Sequence, residues 1–222
     1  MNEKLLKKII DKLPDEPGVM SSSNFLKSSV LASVFEKNDE LHLIFQKRNS
    51  SIRQGGEICF PGGRFDDMLD KNMLETAVRE TIEEMGISKD NILVLGQIDT
   101  LVASMGAVIT CFLGELKIDD LSELNFNKDE VERIFSVPIS WFMENPALEY
   151  NVQMEIKPKY TDDEGNEIVL LPVEELGLPD RYRKSWGLRK HKIYAWKTNG
   201  ETIWGITAQM VRHICELLKD TI

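Results

Sequence analysis

Three carboxylates crowd the stretch Arg79-Glu80-Thr81-Ile82-Glu83-Glu84-Met85-Gly86-Ile87. On a helix each residue advances by about 100°, so with Glu80 at the origin Glu83 falls near about −60° and Glu84 near about +40°. Leu74, Val78, Thr81, Ile82 and Met85 fall on the other side, as a face to pack on a sheet. Gly86 is placed to cap the helix. Like charges four residues apart cost an isolated helix roughly 0.2–0.5 kcal/mol. Arg79 can offset part of this by pairing with Glu83. The remaining charge calls for a cation, and carboxylate oxygens are hard ligands suited to Mg²⁺ or Mn²⁺. Standing alone, Glu-x-x-Glu-Glu is far more commonly a solvated acidic face, so its flanks decide.

Upstream, the β-leaning Glu57-Ile58-Cys59-Phe60 runs into Pro61-Gly62-Gly63, where the chain turns sharply and glycine lets backbone approach a phosphate or metal. A strand, a glycine turn, a loop and a helix carrying Arg-Glu-x-x-Glu-Glu-x-Gly together resemble the Nudix box. That box marks hydrolases of a nucleoside diphosphate linked to another moiety. Its pattern is Gly, five residues, Glu, seven residues, then Arg-Glu-aliphatic-x-Glu-Glu-x-Gly-aliphatic. The second half matches here with Thr81 in the first aliphatic place. The first half departs: Gly63 precedes Arg79 by sixteen positions instead of fourteen, and Lys71, with Asp70 beside it, stands where the loop Glu belongs.

The preceding segment Phe45-Gln46-Lys47-Arg48-Asn49-Ser50-Ser51-Ile52-Arg53-Gln54-Gly55-Gly56 resembles the motif that Nudix enzymes acting on coenzyme A carry before the box. Arg48, Arg53, Gly56 and Phe60-Pro61-Gly62-Gly63 match. Phe45-Gln46 replaces Leu-Thr, Asn49 replaces Ser or Ala, and the interval from Arg53 to Gly56 is one residue short. Ile203-Trp204-Gly205-Ile206-Thr207-Ala208 is similar to the segment that often closes this group.

The resemblance implies an α/β fold, the Nudix alpha/beta/alpha sandwich with a mixed central sheet. It also implies a metal-dependent pyrophosphohydrolase of coenzyme A or acyl-CoA. Glu80, Glu83 and Glu84 would hold Mg²⁺ or Mn²⁺, Arg79 would orient Glu83, and Glu83 and Glu84 would serve catalysis. Gly62 and Gly63 would meet substrate or metal through backbone. Glu130, in a Glu-Val segment such chains share, is a candidate ligand or general base. Arg48 and Arg53 would hold phosphates, which guanidinium groups grip bidentately. Two alternatives stand: a Nudix hydrolase of another nucleoside diphosphate derivative such as ADP-ribose, or a non-catalytic Nudix-like nucleotide-binding module. Such modules typically lose box carboxylates that this chain keeps.

The rest of the sequence must position these groups. Its 222 residues suggest one domain, 1–222, with an N-terminal helix over 2–13 and an inserted segment around 158–192. The net charge of −10 argues against a general nucleic-acid binder. The longest apolar run, Ala107 to Leu113, is too short to span a membrane. Cys59, Cys111 and Cys215 are dispersed and odd in number, and there is no secretory signal, so a reducing cytoplasm is expected. The expected partner is a small nucleotide-derived substrate, with no nucleic acid and no membrane; a homodimer is left open. Strands are expected at Ser28–Glu36 and Leu41–Lys47 around a hairpin turn, then at Ile92–Gln97, Ala107–Leu116 and Leu148–Ile156, with a loop at Thr100–Gly106. A short helix is expected at Ile139–Glu144, a hairpin about Asn199-Gly200, and a closing helix at Thr207–Leu218. Arg181, Arg183, Lys184, Arg189 and Lys190 form a basic cluster that suits phosphate or adenine. His42, His213 and Cys215 receive no chemical role. Glu83→Gln or Glu84→Gln is expected to lower turnover far more than it changes folding; near-parent kcat in Mg²⁺ for both would refute the metal assignment.

Overall fold

A computed structural model describes residues 7–8, 10–13, 24–198 and 200–219. Half of the helix expected over 2–13 lies outside these residues; of the rest, Lys7, Lys8 and Ile10 are helical and residues 11–13 form a turn. The first hairpin pairs β1 (Leu26–Lys37) with β2 (Glu40–Arg48) through Asn38 and Asp39, at φ 55° and 62°. Two consecutive left-handed residues form the turn that matches strand twist, and Asn and Asp tolerate it. The chain continues through β3 (Ile58–Cys59), β4 (Gly62–Arg64), helix α1 (Met73–Met85), β5 (Ile92–Gln97), β6 (Leu101–Ala103), β7 (Ala107–Leu116) and β8 (Val131–Pro138). Helix α2 (Ile139–Glu144) follows.

These eight strands form one sheet in the order β3-β2-β1-β7-β5, with β4 on β1, β6 on β7 and β8 on β2. β1 runs parallel to β7 and antiparallel to β2, so the sheet is mixed. Alternating residues of the central strands feed two cores. Leu31, Phe35 and Ile44 pack with Ala77 and Met85 of α1. Ala32, Val34, Leu43 and Phe45 pack with Phe142 of α2 and with Ala208, Val211 and Ile214 of the closing helix α3 (Gly205–Leu218). Helices therefore cover both faces, giving the α/β/α sandwich.

A second sheet, β13-β12-β9, joins β9 (Leu148–Ile156), β12 (Trp186–Lys197) and β13 (Thr202–Trp204). Asn199 lies outside the described residues, but Lys197 pairs with Thr202 across the expected turn. Within the inserted segment, β10 (Lys159–Thr161) and β11 (Glu167–Val169) form a hairpin closed by Asp162, whose carboxylate accepts from the Glu164 and Asn166 amides.

One local expectation fails. Thr100–Gly106 is not wholly loop: Leu101–Ala103 pairs with Ala107–Ile109 as a tight hairpin onto β7. Three residues are too few to display a period, so pairing with a long neighbour makes this strand. Phe45 is fully buried and stacks on Phe60 at 5.0 Å and on Phe135 at 5.6 Å between ring centroids. Phe45→Ala should lower unfolding free energy by about 3–5 kcal/mol; urea denaturation checks this, and a loss below about 1 kcal/mol would contradict this packing.

Candidate active site

Helix α1 starts where Asn72 accepts the Glu75 amide at 3.0 Å and stops at Gly86, φ 65°, whose N–H donates to the Ile82 carbonyl. Its buried residues are Thr76, Ala77, Thr81, Glu84 and Met85. The expected separation of acids from the packing face therefore does not hold. Glu84 lies near the middle of the buried arc, at 2% exposure. Leu74, Val78 and Ile82 are only partly covered and line a groove of about 460 Å³ with Ile92 and Val94. Glu80 sits at the edge of the buried arc, and the Glu83 side chain is 55% exposed.

Glu84 is tolerated inside because donors meet it. Its Oε2 accepts the Gly62 amide at 2.9 Å and the Gln46 side-chain amide at 2.8 Å. Its Oε1 has Arg48 Nη1 at 3.8 Å. Burial pushes this carboxyl up to about 7, the Gly62 and Gln46 hydrogen bonds oppose that rise, and Glu80 adds repulsion. Burial also raises Glu80, against the pull of Arg79, while Glu83 and Glu130 add like charge. Gly62 and Gly63 make the close approach feasible. A Cβ on Gly62 would strike the Ser29 carbonyl of β1, and one on Gly63 would strike the Glu80 carboxylate.

Arg79 does more than pair with Glu83. Its guanidinium donates to Glu83 Oε2 at 3.1 Å, to Glu80 Oε1 at 2.9 Å, and by a two-point fork to both oxygens of Asp70 at 2.9 Å. Asp70 is buried, also accepts the Thr76 hydroxyl at 2.9 Å, and is held at about 2, chiefly by the Arg79 hydrogen bonds. Asp70 thus meets Arg79 from the lengthened loop in which no Glu stands eight before it. The sequence signal was the acid beside Lys71. Gln46 was also missed; its signal was an amide interrupting the apolar run Leu43-Ile44-Phe45, on the strand face that Ile44 shares with α1.

Arg48 reaches Glu84 and donates to the Arg53 carbonyl at 3.3 Å. Arg53 itself is exposed on the loop joining β2 to β3. Glu130 immediately precedes β8. Its carbonyl accepts the Asn49 amide at 2.8 Å, which brings the Arg48 loop beside it, and its carboxylate accepts from Asn127 at 3.2 Å. Arg64, Phe65, Asp66, Asp67 and Leu69 join Arg79 and Glu80 around a cleft of about 420 Å³. The basic cluster at 181–190 is partly engaged within its own segment: Arg181 stacks on Tyr182, and Arg183 pairs with Glu174 and Asp180. Burial raises the Cys59 thiol to about 11, so it carries no nucleophilic thiolate near neutrality.

Among the described residues, no three acid, histidine or cysteine side chains already converge as a cation cage. The donors nonetheless fit a hard divalent ion in chemistry and charge. Glu83 and Glu130 each repel Glu80, Glu80 repels Glu84, and Glu84 Oε1 faces only a distant guanidinium.

A mixed sheet between helical layers, with this acid helix beside a glycine turn, defines the class, and the NUDIX domain family matches residues 26–196. The chain belongs to the NUDIX family. It is 34% identical over 134 residues to the peroxisomal coenzyme A diphosphatase NUDT7 of Mus musculus, covering 60% of this chain and 54% of the relative. It is 34% identical over 143 residues to the peroxisomal coenzyme A diphosphatase ndx-8 of Caenorhabditis elegans, covering 63% and 59%. Similarity to an uncharacterized Nudix hydrolase, NudL, of Photorhabdus laumondii is 27% over 209 residues, covering 94% and 92%. The chain thus spans little more than half the length of the two coenzyme A diphosphatases. No helix among the described residues is long and apolar enough to cross a membrane.

A carboxyl whose folded value exceeds its unfolded one costs stability once ionised. Glu84 should therefore make metal-free protein lose stability as pH rises from about 4.5 through 7, by an amount of order 3 kcal/mol. Chelator-treated protein melted across this range should show the decline and Glu84→Gln should flatten it; parallel profiles would contradict the buried-acid assignment.

Proposed function

We propose that the chain is a metal-dependent pyrophosphohydrolase of coenzyme A or acyl-CoA, releasing 3′,5′-ADP and 4′-phosphopantetheine or its acyl form. One observation carries this reading: the segment that bears the coenzyme A-type spacing reaches the acid helix through Arg48, whose Nη1 lies 3.8 Å from Glu84 Oε1, while its Asn49 amide is held by the Glu130 carbonyl. The names of the two coenzyme A diphosphatase relatives support it.

Glu80, Glu83 and Glu84 are the proposed holders of Mg²⁺ or Mn²⁺. When bound, such an ion neutralises diphosphate charge and lowers the pKa of water. Arg79 orients Glu80 and Glu83 through its shared hydrogen bonds, with Asp70 anchoring it from the loop. Arg48 and Arg53 bind substrate phosphates, Arg53 from its exposed place on the loop. Gly62 and Gly63 hold the backbone low beside the carboxylates. Glu130 is the proposed base that takes the water's proton, since it lies near enough to Glu80 to repel its charge and its backbone holds the residue after Arg48. The unit extends over 1–222 with 158–192 as an insertion, its partner is a small nucleotide-derived substrate, and its compartment is the cytoplasm, consistent with three free cysteines.

Purified protein with CoA and Mg²⁺ or Mn²⁺ should yield 3′,5′-ADP and 4′-phosphopantetheine by mass. Dephospho-CoA should be turned over less efficiently because it lacks the 3′-phosphate. Preferential cleavage of ADP-ribose or a dinucleoside polyphosphate, or binding without product on prolonged incubation, would overturn the assignment.

A further inference from the structure

Gln46 sits on β2 at 0% exposure, on the face turned toward α1. Its Nε2 donates to Glu84 Oε2 at 2.8 Å and lies 3.6 Å from Cys59 Sγ. Its Oε1 is buried and has no hydrogen-bond partner among the described residues. An orphaned buried carbonyl costs about 1–3 kcal/mol. The opposite amide orientation would set that carbonyl against the Glu84 oxygen and give up the charge-assisted bond. An apolar side chain would be the ordinary solution at such a position, on the strand face that also carries Ile44 beneath α1. The orphan is instead tolerated so that an N–H can reach Glu84.

We propose that Gln46 is a positioning residue for the cation site: with the Gly62 amide it fixes Glu84 Oε2, so that Glu84 presents Oε1 alone. This rests on the proposed role of Glu84 as a metal ligand. Two donors converge on one oxygen, while the other keeps only Arg48 at 3.8 Å. A carboxylate held this way cannot rotate to offer both oxygens, and it enters the site already oriented. Supporting hydrogen bonds to ligands typically change metal affinity by 10- to 100-fold.

The test compares the full-length chain with Gln46→Met and Gln46→Leu, which fill similar volume without an N–H. Mn²⁺ binding is measured by calorimetry in the absence of substrate, alongside melting temperature in chelator. Mn²⁺ affinity should fall about 10- to 100-fold, while the melting temperature stays within a few degrees of parent or rises as the orphan carbonyl disappears. At saturating Mn²⁺, kcat should fall while KM changes little. Parent-like Mn²⁺ affinity in either folded variant would overturn the clamp and leave the metal reading intact. A matched drop in melting temperature and calorimetric competence would mark a purely structural role and overturn it also. Failure of the parent to bind Mn²⁺ would remove the metal reading itself, and the clamp with it.

Discussion

A carboxylate at 2% exposure must be met by donors or lose its charge, and Glu84 is such a carboxylate. Much of the site can be understood as what keeps it there. β2 supplies the Gln46 amide and the Arg48 guanidinium; the turn into β4 supplies the Gly62 N–H. These donors come from two strands of the sheet that α1 covers, so the position of one side chain ties the helix to both. Burial is the chief reason that Glu80 and Glu84 are both raised from their ordinary value, and removing water also magnifies the repulsion that Glu80 exerts on Glu84.

The opposing half of the balance is Arg79. Four contacts spread its charge over Asp70, Glu80 and Glu83, and Asp70 holds it by a two-point fork from the loop before the helix. Arg79 therefore fixes where the Glu80 and Glu83 carboxylates start from, while Asp70 fixes where Arg79 starts from. Gly63 matters for a different reason: the Glu80 carboxylate lies where any Cβ would be. Together these contacts arrange anionic oxygens on a cleft edge without neutralising them all, the condition that favours uptake of a divalent cation.

The acid helix, its Gly86 cap, the first hairpin and the long strands were legible because each is a periodic or turn signal within one short segment. The buried side of α1 was not. Helical angles rank residues around a cylinder, and the apolar residues Leu74, Val78 and Ile82 suggested one packing face. The sheet does cover Thr81 and Met85, but it takes Ala77 and Glu84 rather than Leu74, Val78 and Ile82, because β2 and the glycine turn provide hydrogen bonds that no helical wheel contains. Asp70 and Gln46 escaped notice for the same reason, since both act through contacts nine and thirty-eight residues away in sequence. β6 was missed because three residues cannot show alternation. Arg53 was paired with Arg48 from spacing alone, whereas their side chains have different settings: one beside Glu84, the other exposed.

The most direct test of the central claim is anomalous diffraction from crystals grown with Mn²⁺ and a non-hydrolysable diphosphate. The account predicts Mn²⁺ peaks bounded by Glu80, Glu83 and Glu84 Oε1, with Glu84 Oε2 still on Gly62 and Gln46. Peaks placed elsewhere, or none beside α1 at saturating Mn²⁺, would contradict it.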